Sequence, residues 1–293
     1  MISSLRKIIN YEEVWETKSL AILSNKGGVG KTSIAVNIAV YLAKQNKNVL
    51  LLDHDFQGPS LMTFFPPEVK WINDYMSGNE ELERCIQEIK PDLYDLKGKL
   101  FVCFANPTHE AIRENLSLDS NRSMNMLQNL VKLKHNIRSK PYNIEYLITD
   151  CSPGIGFLSV NPILISDISL FILKISNADL YGTTEMISGL YDNLHNKSLI
   201  LANHVPPKFM NNPKKMQMLQ SIIEERLISK TGDKAMDFLG WIPADLDLFT
   251  YEFEDAIESF KGESRRRKVF FHDFPDHIFT KNLINLIPRM FEE

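Results

Sequence analysis

A short apolar run, Leu20-Ala21-Ile22-Leu23, passes directly into Ser24-Asn25-Lys26-Gly27-Gly28-Val29-Gly30-Lys31-Thr32-Ser33, and apolar residues then recur at helical spacing as Ile34-Ala35, Ile38-Ala39 and Leu42-Ala43. A buried strand therefore feeds a glycine-rich turn that opens a helix. This order constrains the fold more than any other feature, because backbone N–H groups of such a turn and helix start converge on an anion. The loop reads as a cradle for a nucleoside triphosphate, with Gly27, Gly28, Val29, Gly30, Lys31, Thr32 and Ser33 around the phosphates. Lys31 would reach the β- and γ-phosphates and the Thr32 hydroxyl would hold Mg²⁺. The strict Gly-x-x-x-x-Gly-Lys-Ser/Thr pattern fails at its first position, Asn25, and a second lysine, Lys26, stands at the mouth of the loop.

Further along, strands and helices alternate. Residues 48–53, 100–104, 144–149, 168–175, 198–202, 238–242 and 269–271 read as strands. Residues 71–93, 111–133, 185–193, 216–227 and 276–291 read as helices, and residues 1–18 as a polar lead-in with Tyr11, Val14 and Trp15 packed outside. Such alternation implies parallel crossover units: an α/β fold with a mostly parallel twisted sheet flanked by helices on both faces. At 293 residues and 44% hydrophobic content the chain can bury such a core as one domain. Ligands of these sheets bind outside the carboxyl ends of the strands. Asp53, Asp55 and Asp150 all follow apolar runs there, on the side of the glycine loop, and Asp53 and Asp55 point to the same side if strand geometry persists.

Composition narrows the surroundings. The net charge of −4 gives no bulk attraction to nucleic acid. Cys85, Cys103 and Cys151 are far apart and read as reduced residues of a cytoplasmic protein. No apolar h-region and no run of bilayer-spanning length occurs.

The form Lys26-Gly27-Gly28-Val29-Gly30-Lys31-Thr32 resembles the deviant Walker A motif of the ParA/MinD family of P-loop ATPases, within the SIMIBI-like P-loop NTPases. The resemblance spans roughly residues 19–288, so residues 19–293 are expected to form the ATPase domain behind an extension of residues 1–18. It implies that ATP and Mg²⁺ are the cofactors, and that Lys26 reaches across a nucleotide-sandwich homodimer to the partner's phosphates, as an arginine finger does. Leu51-Leu52-Asp53-His54-Asp55-Phe56-Gln57-Gly58 is similar to a family signature in which Asp55 would orient the attacking water and Asp53 support the metal shell. Tyr146-Leu147-Ile148-Thr149-Asp150 looks like a Walker B strand whose Asp150 would hold a water of the Mg²⁺ shell, and the turn at Pro153 and Gly154 would sense the γ-phosphate. By the same resemblance Asn203 and Pro243 would lie against adenine, although either position equally suits ordinary turn chemistry.

The family pattern implies an ATP-gated dimer that positions or segregates cargo, released by a stimulating adaptor protein. A ParA-like form would bind DNA without sequence preference, and the candidate contact is Arg265, Arg266, Arg267 and Lys268 after Lys261; the same run is compatible with a solvated loop. A MinD-like form would use a membrane instead. The last helix has an apolar stripe, Phe279, Leu283, Ile287 and Met290, but no rich basic face, and docking of that stripe on its own domain is the favoured reading. Metal-cluster handling of the Mrp type would need a C-x-x-C pair, which the sequence lacks. A nucleotide-binding module with negligible turnover would use the same binding residues.

Overall fold

The glycine loop sits at the centre of the sheet. The computed structural model describes residues 17–116, 119–190, 196–231, 236–261 and 266–292, so the expected lead-in lies outside the described residues as far as residue 16. The strands are β1 (Lys18–Leu23), β2 (Val49–His54), β3 (Ile86–Glu88), β4 (Leu100–Cys103), β5 (Tyr146–Cys151), β6 (Ile168–Lys174), β7 (Lys197–Val205) and β8 (Met236–Pro243). They form one sheet in the order β3-β4-β2-β5-β1-β6-β7-β8, parallel except for the edge strand β3. The longer helices are α1 (Lys31–Lys44), α2 (His109–Leu116), α3 (Ser120–Asn136), α4 (Phe157–Ile165), α5 (Asn177–Leu190), α6 (Pro213–Arg226), α7 (Leu246–Phe260) and α8 (Ile278–Phe291).

Continuous apolar strands are explained by burial on both faces. Leu20, Ile22, Val49 and Leu51 pack towards α1 and α8, whereas Leu50 and Leu52 pack towards α3 and α4, and Ala21 and Leu23 towards α5. Helix α1 is apolar nearly all round because it is buried nearly all round. Its one buried amide, Asn37, donates to the Ser33 carbonyl and accepts the Phe271 N–H. The stripe Phe279, Leu283, Ile287 and Met290 of α8 is buried against this layer, at roughly 1.5–3 kcal/mol per large side chain. The last helix thus docks on its own domain.

Several elements differ from the sequence reading. Residues 71–93 are not one helix: a single turn, Ile72–Met76, stops at Gly78 (φ 77°), and Ile86–Glu88 pairs antiparallel with β4. Both outcomes bury the same apolar residues, and pairing with an otherwise open strand edge won. Residues 111–133 divide into α2 and α3, because the Asp119 side chain accepts the Arg122 N–H and caps a new helix. Residues 269–271 form a one-turn helix, Phe270–Asp273, rather than a strand, with the Asp273 carboxylate accepting the Val269 N–H. Helix α5 begins at Asn177, earlier than expected, and α7 occupies a stretch in which no element was anticipated.

Candidate active site

Beyond Leu23 the chain turns through residues 24–30 over the carboxyl edge of the sheet. Gly28 (φ 71°) and Gly30 (φ 94°) take left-handed conformations that cost other residues about 1–2 kcal/mol. A Cβ on Gly30 would also lie 2.5 Å from Nδ2 of Asn203, whereas one on Gly27 or Gly28 would meet no atom within 4 Å. The first constraint closes the back of the loop and the second leaves its mouth open. Asn203, at the end of β7, donates to the Val29 carbonyl at 2.8 Å, and Gly154 N–H donates to the Ser24 carbonyl at 2.9 Å. The loop is therefore stapled on one side to the turn after β5 and on the other to β7, two strands from β1. Among the described residues no side chain caps α1, which leaves its first-turn N–H groups to an anion.

Lys31 is only 6% exposed, and its charge acts on Asp150. Thr32 accepts a hydrogen bond from the Ser60 hydroxyl at 3.2 Å. The sheet register sets Asp53 directly opposite Asp150 on neighbouring strands, and both are fully buried, with Asp55 nearly so. Asp53 Oδ1 accepts the Asp55 N–H and Asp55 Oδ1 accepts the Gly58 N–H. Asp53 Oδ2 and both oxygens of Asp150 meet no well-formed hydrogen bond among the described residues. Burial, then the charges of Asp150 and Asp55, push the Asp53 carboxyl well above its usual range. Burial likewise raises Asp150 to about 7, against the pull of the Lys31 ammonium and the Thr32 hydroxyl.

Three acids and three orphaned oxygens in one dry place are unfavourable alone. They fit a hard divalent cation, which takes oxygen ligands and retains water. A cavity of ≈ 490 Å³ opens over the loop, lined by Gly27, Gly28, Gly30, Lys31, Thr32 and Ser33 on one side and Asp55 on another. A second group, Asp245, Asp247 and His277, is different: His277 Nδ1 accepts the Phe279 N–H, so Nε2 carries the proton and faces Asp245 at 3.3 Å. That is an acid–imidazole contact, not a ligand set.

The expected residues thus converge, with two differences. Pro243 is buried at the end of β8, outside the described lining of the cavity. The basic run is turned inward: Arg266 pairs with Asp273 through two hydrogen bonds and lies over Tyr94, Arg267 lies over Phe64, and Arg267 and Lys268 line the cavity. Arg265 lies outside the described residues. Lys26 extends from the loop, 47% exposed, to Asp179 Oδ1 at 3.2 Å in the first turn of α5. Close packing of that helix on the loop requires Gly182, where a Cβ would meet the Asn25 amide at 2.1 Å.

Sequence reasoning missed Lys174, His204, Leu248, Tyr251 and Asp255, which also line the cavity. His204 holds a left-handed φ of 58°, unusual outside glycine. Burial raises the Asp255 carboxyl, opposed by Lys268 and Arg267. No local pattern could have placed α7 here, since only the course of the chain beyond β8 brings its residues to the cavity.

A family model described as an AAA domain matches residues 17–201. The sporulation initiation inhibitor protein Soj of Bacillus subtilis is 26% identical over 174 residues, 58% of this chain and 64% of Soj. The chromosome partitioning protein ParA of Myxococcus xanthus is 29% identical over 180 residues, 60% of this chain and 59% of that protein. The chain therefore spans less than two thirds of either relative's length. The septum site-determining protein MinD of Pyrococcus horikoshii, solved with Mg-ADP, has a TM-score of 0.65 at 15% identity, covering 94% of this chain and 96% of that one. The family match over residues 17–201, a span that contains the glycine loop and both acidic strands, together with the similarity to Soj and ParA and the shared fold, makes this protein a member of the ParA/MinD family of P-loop ATPases.

Proposed function

We propose that this chain binds ATP with Mg²⁺ in the cavity over the glycine loop, dimerises in that state and hydrolyses ATP when a partner protein stimulates it, so positioning or segregating DNA or a cellular assembly. The observation that carries the reading is the pair of opposed buried carboxylates beside Lys31 and Thr32, Asp53 with one oxygen orphaned and Asp150 with both. Thr32, Asp53 and Asp150 would hold Mg²⁺, the acids partly through water, and the ion would neutralise phosphate charge. Lys31 and the N–H groups of residues 27–33 bind and orient the phosphates. Asp55, at the cavity wall, orients the attacking water, since hydrolysis needs positioning more than covalent chemistry. Asn203 supports the loop from behind and lines the cavity, from where it would contact the base.

Lys26 is the link between nucleotide and dimer. In the single chain it rests on Asp179, a pair with a half-exposed ammonium and a largely covered carboxylate that holds it by on the order of 1 kcal/mol. A partner's phosphates would offer a stronger anion in a drier setting. DNA as cargo is supported by the similarity to the chromosome partitioning protein ParA of Myxococcus xanthus. Arg266 is engaged by Asp273, and Arg267 and Lys268 line the cavity, which supports a DNA contact that does not rest on this run alone.

The test is ATP turnover and sedimentation of three variants. Lys31→Ala should lose ATP binding, Lys26→Ala should bind ATP yet neither dimerise nor turn over, and Asp55→Ala should form a long-lived ATP dimer. Normal turnover in Lys26→Ala sinks the trans role, and unchanged turnover in Asp55→Ala sinks the water-orienting role. Random duplex DNA added to the Asp55→Ala protein with ATP or ADP then reads out the cargo surface.

A further inference from the structure

Helix α7 is amphipathic in the opposite sense to an ordinary surface helix. Its inner side carries Leu248, Tyr251 and Asp255 over the cavity. Its outer side exposes Leu246 (78%), Phe253 (71%), Ile257 (54%) and Phe260 (95%). Steps of seven, four and three residues set these four on one stripe of the helix. Single exposed apolar residues are commonplace, but four large ones in line form a contiguous patch of the kind that mediates association.

The charge of the helix identifies what can cover the stripe. Residues 246–260 contain Asp247, Glu252, Glu254, Asp255 and Glu258 and no lysine, arginine or histidine. Asp247 and Glu254 are exposed beside the apolar residues. A second copy of α7 laid against the first would bring two acidic helices together, and like charges across an interface oppose pairing. An anionic bilayer repels the same helix, since lipid-binding helices carry basic polar faces. What remains complementary is an apolar stripe flanked by cations.

We propose that the outer face of α7 docks an amphipathic helix of a partner protein, its apolar side chains seated on Leu246, Phe253, Ile257 and Phe260 and its flanking lysines or arginines against Asp247 and Glu254. The surface lies on the side of α7 away from the cavity, so this docking stands whether or not the nucleotide reading does.

The probe is a fluorescein-labelled helical model peptide with leucines on one face and flanking lysines, titrated into the full chain without nucleotide and followed by anisotropy. A control peptide carries the same leucines with glutamates in place of the lysines. Saturable one-to-one binding of the lysine peptide, absent for the glutamate peptide, is expected. Phe253→Ser with Ile257→Ser should weaken it at least roughly tenfold, the loss of one anchoring contact. Glu254→Lys should weaken it several-fold and reduce its salt dependence. These side chains are exposed, and an unchanged melting temperature verifies that the variants fold. No binding of the lysine peptide, equal binding of both peptides, or full binding retained in the Phe253→Ser, Ile257→Ser variant overturns the proposal. So does concentration-dependent dimerisation, or flotation with phosphatidylcholine–phosphatidylglycerol vesicles, that the same double variant abolishes, because the stripe would then serve a second copy or a membrane.

Discussion

Asp150→Asn should make the Mg²⁺-free protein more stable at pH 8, although it removes a residue from the centre of the site. The Asp150 carboxyl is wholly buried and titrates at about 7 against a reference of 3.8. A gap of roughly three pKa units is about 4 kcal/mol against the charged form. The sign follows from proton binding. Between pH 4 and about 7 the folded state holds a proton that the unfolded state has lost, so stability falls as pH rises through that window and is flat above it. The raised Asp53 carboxyl adds to the same slope. Asparagine removes the charge but leaves an amide with few partners, at a cost of about 1–3 kcal/mol. The net gain at pH 8 is then about 2 kcal/mol, which at roughly 2–4 °C per kcal/mol for a domain of this size raises Tm by about 4–8 °C. At pH 5 the wild-type carboxyl is already protonated, and the gain should vanish. Differential scanning fluorimetry of the two proteins in EDTA, at pH 5 and 8, measures this directly. A Tm for Asp150→Asn that is unchanged or lower at pH 8, or equally shifted at both pH values, would refute the electrostatic argument. Mg·ATP should raise the wild-type Tm and leave that of the variant nearly where it was.

Two further outcomes test the geometry around the loop. Gly30→Ala combines a left-handed φ with a 2.5 Å clash against the Asn203 amide, and should lower unfolding stability by about 2–3 kcal/mol, against about 1–2 kcal/mol for Asn203→Ala, which removes the bond to the Val29 carbonyl and the one accepted from the His204 N–H. Urea denaturation of both separates backbone strain from the lost hydrogen bonds; equal losses would mean that φ at Gly30 is not restrictive. Lys268→Ala should weaken ATP binding roughly tenfold by calorimetry, one charge-assisted contact, because this side chain lines the cavity. Unchanged ATP affinity together with reduced DNA binding would return the basic run to its surface role.

The site was legible wherever its residues follow one another in the chain. The glycine loop, Lys31, Thr32 and the acids at Asp53, Asp55 and Asp150 each sit at the end of an apolar run, and a parallel sheet must bring such ends to one edge. The elements that were misread are those where two local patterns compete. Residues 71–93 carry apolar spacing that suits a helix, yet Gly78 stops the helix and β4 offers an open edge to Ile86–Glu88. Residues 269–271 look like a strand by composition, but the Asp273 carboxylate caps a turn there.

The amino-acid sequence by itself determined the strand–loop–helix unit, the alternation that builds the sheet and the chemistry at its carboxyl edge, because these depend on residue order within a few turns of chain. Tertiary structure alone decided where long-range side chains go. It set Asp53 against Asp150 in register, parked Lys26 on Asp179, and turned Arg266 to Lys268 inward against Asp273, Tyr94, Phe64 and the cavity. It also laid α7 across the site with its apolar stripe outward. A basic run or an amphipathic helix has the same sequence whichever way it faces, and its direction is chosen by the partners that the rest of the fold brings within reach.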